Sequence, residues 1–264
     1  MGHLKTFYTA DKVVIAGAGA VGHKELVELS EKHFGKLAAG PKDSLALSGQ
    51  PAVFTGSDKR IRFDSMKNAH IALGFEGASW TSEYAFPLML MKTILGSWSK
   101  TGPGGGNLSS KYAQDVYEAE LASSFSAFNV SYKDTGLFGI YLVAPDNKLE
   151  DVMWYTLDNL VRLCHNVSNQ EVARAKTQLK ANVLMGLESS SQKCLDIGSQ
   201  ITAYGRRMTT AELYARIDGI TTSDVKATAG KFINDEDHAL SAIGPIFELP
   251  DYNWIRRRSY WHRF

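Results

Sequence analysis

Apolar residues recur along this chain with two different periods. Tyr84, Leu88, Met91 and Leu95 fall at i, i+4, i+7 and i+11, which is one stripe of a helix. Leu149, Val152, Met153, Leu157, Leu160 and Leu163 line one face of a longer helix that begins near Lys148. Ser168-Asn-Gln-Glu171 opens the next one as a capping box: the serine oxygen satisfies a free amide and the glutamate reaches back. Its inward positions are Val172, Leu179, Val183 and Leu187. Thr209-Thr-Ala-Glu212 and Thr221-Thr-Ser-Asp224 mark two further helix starts, the second weaker because its acid is shorter, and 108–116 reads as a short helix. β-Branched and aromatic runs predict strands over 53–63, 69–75, 121–132, 137–144 and 238–244. Lys133-Asp-Thr-Gly136 joins the third and fourth as a hairpin connection. Strand pairs alternating with a block of helices predict an α+β fold, a mostly antiparallel sheet covered on one face by helices.

The first fifty residues read differently. An apolar run over 12–19 predicts a strand, and 23–34 a helix with Leu26, Leu29 and Phe34 inward. Residues 35–51 carry Gly, Pro, Ser and Ala without period and read as a linker. Gly17-Ala-Gly19-Ala-Val-Gly22 matches the dinucleotide fingerprint, which needs a second strand ending in an acid about 20 residues on. Lys36 to Asp43 supplies no such strand, so the glycines are read as a tight strand-to-helix turn. The run Val13 to Val21 echoes Ala239 to Ile246, a strand entering a glycine turn, as in a chain whose two related halves end alike. Gly102-Pro-Gly-Gly-Gly106 lacks the Lys-Ser/Thr of a phosphate loop, since Asn107 follows it. It is left as a flexible surface loop or a peptide-contacting one, through Gly102, Gly104, Gly105 and Gly106.

Composition narrows the function classes. A formal net charge of +1 gives no global field for nucleic acid or anionic membrane. No apolar run approaches the roughly 20 residues of a membrane span. The N-terminus shows neither a signal-peptide core nor an Arg- and Ser-rich transit character. Cys164 and Cys194 fall in expected helices and read as buried reduced thiols. None of the seven histidines stands in HExxH or HxxEH spacing, so no zinc site is expected on this chain. Serine, histidine and aspartate occur in no nucleophile context such as GxSxG. Arg256-Arg-Arg258, among Trp254, Tyr260, Trp261 and Phe264, reads as a basic-aromatic tail packed on its own domain or a partner.

Several phrases together carry a resemblance. They are Tyr8 to Val21, Phe75-Glu-Gly-Ala-Ser-Trp80, Leu95-Gly-Ser-Trp98 and Phe128 to Gly139. Tyr204-Gly-Arg-Arg207, Ala215-Arg-Ile-Asp218, Ile243-Gly-Pro245 and Leu249 to Asn253 continue it. In order and over nearly the whole chain they resemble the family of mitochondrial processing peptidase beta subunits. These are pitrilysin/insulysin-like zinc metallopeptidases, and the family includes the first core protein of respiratory complex III. The resemblance is to its C-terminal part only, with a plant-like ending at Arg256 to Phe264.

The resemblance implies a peptidase of two homologous α+β domains that works with an alpha subunit and removes presequences from imported precursors. It implies zinc held by HxxEH in the first domain of the full-length protein, residence in the mitochondrial matrix or on the matrix side of the inner membrane, and possible complex III partners. On that basis residues 1–36 are expected to be a remnant of the first domain, its last strand and helix. Residues 37–50 are then a linker, 51–250 a second, non-catalytic domain and 251–264 the tail. Many relatives place an Arg and a Tyr of an RxxxGLxY stretch toward the zinc; here those positions hold Val116 and Ser123. The chain by itself is therefore expected to be inactive and to serve heterodimerisation and the wall of the substrate cavity. Presequences are basic and amphipathic, so Glu76, Glu118 and Glu120 become candidate substrate contacts. The alternative is a non-catalytic scaffold of complex III.

Overall fold

A computed structural model describes residues 8–40, 52–102 and 108–260. They divide into two compact units: Met1–Ala52 with Lys180–Leu213, and Val53–Leu179 with Tyr214–Phe264.

The larger unit is built on a six-stranded sheet of order β1-β6-β2-β5-β4-β3. The strands are β1 (Ser57–Arg62), β2 (Ala69–Gly77), β3 (Ser97–Ser99), β4 (Ser124–Ser131), β5 (Gly136–Ala144) and β6 (His238–Gly244). β1 runs parallel to β6, and every other pair is antiparallel. The mostly antiparallel α+β sheet is as expected, and 238–244 keeps its expected bounds. β3 was not foreseen; it lies at the start of 97–107, which reads in sequence as a glycine-rich loop. Three residues are too few to show a period, and it is a strand because β4 pairs with it.

Alternation in β2 and β5 sends Ile71, Leu73, Phe75, Phe138, Ile140 and Leu142 into the core. Helices α2 (Ala85–Leu95), α4 (Leu149–His165) and α8 (Thr222–Phe232) supply the other side of that core. The stripe Leu88, Met91, Leu95 and the face Leu149 to Leu163 are buried as the periods required. α3 (Lys111–Glu118) is capped by Ser110, whose hydroxyl accepts from the Ala113 amide at 3.4 Å and donates to the Leu95 carbonyl at 2.7 Å. One serine thus ties the start of α3 to the end of α2.

The Ser168–Glu171 box forms with both bonds, the Ser168 amide to Glu171 at 3.0 Å and the Glu171 amide to Ser168 at 3.2 Å. It opens α5 (Asn169–Gly186), of which Val172 and Leu179 are buried. The shorter box at Thr221 and Asp224 also closes in both directions, so aspartate reach suffices there. Gly230 sits inside α8 with open space where a side chain would go. Gly230→Ala is expected to stabilise the chain by about 0.5–1 kcal/mol through the lost freedom of the unfolded state, seen as a higher denaturant midpoint.

α9 (Tyr252–Arg258) closes the unit. Arg256 bridges Asp235 at 2.6 Å and Asp237 at 2.9 Å, and Arg258 lies 4.1 Å from the Trp254 ring centre. The basic-aromatic tail, through Tyr260, packs on its own domain; Trp261 and Phe264 lie outside the described residues.

The smaller unit holds α1 (His23–Phe34) and α6 (Ser190–Tyr204), with α7 (Thr210–Gly219) beginning at its end. α1 has the expected bounds. Residues 12–19 correct the expectation: beyond a short turn at Ala10–Lys12 they form no strand, because no neighbouring strand among the described residues pairs with them. Nor are Leu26, Leu29 and Phe34 buried; Leu29 and Phe34 are exposed. Gly19 adopts φ 126, as a glycine turn before a helix requires, so the turn stands without its strand. Residues 41–51 of the expected linker lie outside the described residues.

Candidate functional site

The chain brings three of its seven candidate contact residues together. Gly96, at φ 72, ends α2 and turns the chain straight into β3. β3 is an edge strand, paired on one side to β4 through Trp98↔Phe125, and the Lys100 amide extends the ladder to the Ser123 carbonyl at 2.9 Å. α3 ends beside it. Its last turn closes when the Leu121 amide reaches the Val116 carbonyl at 3.0 Å, with Glu120 at φ 48.

Between β3 and the end of α3 lies a cavity of about 520 Å³ lined by Trp98, Lys100, Gly102, Tyr117, Glu118, Glu120 and Ala122. Trp98 and Tyr117 meet edge to face at 6.2 Å. The lining carries two carboxylates and one ammonium, so its formal charge is −1. Aromatic faces beside exposed carboxylates suit a cationic side chain with an apolar stem, such as arginine or lysine. Glu120 is a non-glycine residue in the left-handed region, a backbone state that costs about 1 kcal/mol. That strain places its carboxylate at the cavity.

Glu76 does not join them. It lies on the solvent face of β2, which β5 and β4 separate from β3, and it accepts from the Thr135 hydroxyl at 3.0 Å. Gly104, Gly105 and Gly106 lie outside the described residues. Trp98 and Tyr117 were missed as lining residues. The available signal was Trp98 just ahead of the glycines and Tyr117 next to Glu118, but their meeting depends on the β3–β4 pairing.

Val116 is fully buried in α3, and Ser123 continues the sheet by donating its amide to the Val143 carbonyl at 2.7 Å. Neither position presents a charged or phenolic group. A larger cavity of about 590 Å³ lies between Tyr84–Pro87 and residues 215–228. Two of its charged groups are already engaged: Asp224 closes the Thr221 cap and is held below its usual range by that amide, and Arg216 lies over Phe86 at 5.6 Å.

Among the described residues, no three His, Cys, Asp or Glu side chains converge as a metal would need. The zinc that the resemblance implies for the full-length family has no fitting site among the described residues. Cys164 is buried, which pushes its thiol up to about 12, while Cys194 is only half-buried and donates to the Ala16 carbonyl at 3.1 Å. No helix of the described residues is long and apolar enough to cross a membrane.

Residues 3–179 match the family model described as Peptidase M16 inactive domain. A "Probable mitochondrial-processing peptidase subunit beta, mitochondrial" of Arabidopsis thaliana is 48% identical over 263 residues, 99% of this chain and 50% of that protein. A "Mitochondrial-processing peptidase subunit beta" of Blastocladiella emersonii is 46% identical, over 96% of this chain and 54% of its own length. The human protein of that name is 39% identical, over 99% and 53%. A chain of complex III2 from Candida albicans, solved with Inz-5 bound, superposes with a TM-score of 0.89 at 29% identity, over 98% of this chain and 61% of that one. The chain spans about half the length of the curated relatives it matches.

Proposed function

Because the chain belongs to the M16 peptidase family and carries its inactive domain, we propose that it is the non-catalytic, substrate-holding part of a mitochondrial processing peptidase beta subunit. In this reading residues 1–36 belong structurally to the family's first domain, 51–250 form the second and 251–264 a tail. The peptidase chemistry and its zinc reside in the part that this chain does not match, and an alpha subunit completes the enzyme in the matrix or at the matrix side of the inner membrane. This chain's own residues bind and orient. The observation that carries the reading is the cavity at β3, where Glu118 and Glu120 stand beside Trp98 and Tyr117 on an open sheet edge. A basic peptide laid along such an edge gains backbone pairing, while the carboxylates select its cationic side chains.

The test is fluorescence anisotropy with a labelled basic amphipathic peptide. Binding is expected to weaken about fivefold for each of Glu118→Gln and Glu120→Gln, since exposed ion pairs contribute up to about 1 kcal/mol, and to weaken further with salt. Glu120→Gly separates function from fold. It relieves the backbone strain and leaves stability equal or higher, yet weakens binding as Glu120→Gln does. Equal affinity in all three variants would remove the cavity from the substrate path.

A second reading has its own observation, the 0.89 superposition on a chain of a complex III assembly. There the chain is a scaffold of respiratory complex III. Co-purification with cytochromes, read from the haem spectrum, distinguishes it from the first.

A further inference from the structure

The β3 cavity holds one charge that a seat for cationic side chains leaves unused. Lys100 lines it together with Glu118 and Glu120, and its side chain is exposed. Among the described residues no ion pair joins any of the three. Towards a guest that carries only positive charge, the Lys100 ammonium is repulsive and lowers affinity. Two carboxylates and one ammonium suit instead a guest with cationic side chains and one carboxylate close to them.

The backbone fixes where that carboxylate falls. The Lys100 amide makes the last bond of the β3 ladder, to the Ser123 carbonyl at 2.9 Å. The Gly102 amide then donates to the Ser99 carbonyl at 2.9 Å and turns the chain, so the open edge stops at Lys100. Side chains two apart on a strand share a face. Trp98 and Lys100 accordingly line the cavity, and Ser99 between them does not. A peptide paired along this short edge leaves it beside Lys100, with side chains over Trp98 and against Glu118 and Glu120. Lys100 repels a terminal ammonium there and attracts a terminal carboxylate.

Resting on the reading of this cavity as a seat for basic peptides, we propose that Lys100 receives the free C-terminal carboxylate of such a peptide. The cavity then prefers the fragment that a cut releases to the uncut chain. Mitochondrial targeting peptides are rich in arginine and poor in acidic residues, so their side chains offer Lys100 no steady partner. Hydrolysis supplies one. Adding water across the peptide bond leaves a carboxylate on the N-terminal fragment and an amine on the other. Before the cut the same position holds a neutral amide, which gives Lys100 no charge to pair with. The released fragment is thus held more firmly than its precursor and competes with it for the seat.

The test uses one basic amphipathic peptide, labelled at its N-terminus and made both as the free acid and as the C-terminal amide. Each form is titrated by anisotropy against the full 264-residue chain at low salt. The acid is expected to bind about fivefold more tightly than the amide, the effect of one exposed ion pair. Lys100→Gln should bring the two forms to equal affinity, and Lys100→Arg should restore the preference. Glu118→Gln should weaken both forms alike and leave their ratio unchanged. Because Lys100 is exposed, its variants should melt as the parent chain does. Equal affinity of acid and amide in the parent, with Glu118→Gln still weakening both, overturns the carboxylate preference and leaves the peptide seat standing. An acid preference that survives Lys100→Gln overturns the role of Lys100. If neither Glu118→Gln nor Lys100→Gln changes the binding of either form, the seat itself is wrong, and the proposal falls with it.

Discussion

Gly139→Ala is expected to lower the stability of the chain by about 3 kcal/mol, at the upper end of what overpacking in a filled interior costs. Gly139 sits in mid-β5, opposite Gly74 on β2 and beside Phe128 on β4. A β-carbon there would collide with the Leu73 carbonyl oxygen, and it would lie 2.7 Å from the Phe128 ring and 2.8 Å from the Gly74 α-carbon. Two of those three neighbours are backbone in the centre of the sheet, so no side-chain rotation relieves the clash. The ring of Phe128 lies over the glycine pair, 3.7 Å from where a β-carbon on Gly74 would be, and fills the space their missing side chains leave. A melting temperature lower by about 10 °C is expected for a domain of this size. Gly230→Ala is the control, since it adds the same methyl group where nothing opposes it. A loss below about 1 kcal/mol at Gly139 would show that the three central strands can separate to admit a methyl group.

Much of this architecture was legible in the sequence, and the parts that were not have a common cause. α2 and α4 could be read because their apolar stripes are set by local period, and the capping boxes because their bonds span three residues. 238–244 could be read as a run that starts after the polar Asn234-Asp-Glu-Asp237 and stops at a Gly-Pro turn. The misreadings depend on distant partners. Residues 12–19 have strand composition but form no strand, since a ladder needs a neighbour that the described residues do not contain. β3 has no strand signal and forms one because Ser124 to Ser126 lie beside it. The site divides in the same way. Glu118 and Glu120 were picked for their charge and converge with Gly102 because α3 ends at the β3 edge. Glu76 was picked on the same grounds, but the strand order carries it to another part of the sheet.

His238 was passed over in the sequence as one of seven histidines, and its surroundings produce the second large effect. It begins β6 with its side chain wholly buried, stacked on the Tyr252 ring at 4.1 Å and facing Phe75 at 6.3 Å. Neither ring nitrogen has a hydrogen-bond partner among the described residues. Asp58 and Arg60 of β1, Asp237 beside it and Arg256 of α9 are the charged groups around the ring. Their opposing effects leave burial dominant, and it pushes the imidazole down from 6.5 to about 4.

Above pH 6.5 the ring is neutral in both the folded and the unfolded chain, and its titration leaves stability flat. Between pH 6.5 and about 4 the unfolded chain takes a proton that the folded chain refuses. Stability therefore falls as pH drops, by about 1.4 kcal/mol per unit and about 3 kcal/mol in all, and this contribution levels off below pH 4. His238→Phe keeps an aromatic ring against Tyr252 and removes the titrating group. Denaturant unfolding from pH 7.5 to 4.0 should give a difference, parent minus variant, that is constant above pH 6.5 and then declines by about 3 kcal/mol. Subtracting the variant removes the carboxylates that titrate at the low end in both proteins. A difference that stays constant across the whole range would mean that the ring takes up its proton in place. The nearby carboxylates of Asp58 and Asp237 would then be accepting it within the fold, and the packing of α9 against β6 would have to admit a charge.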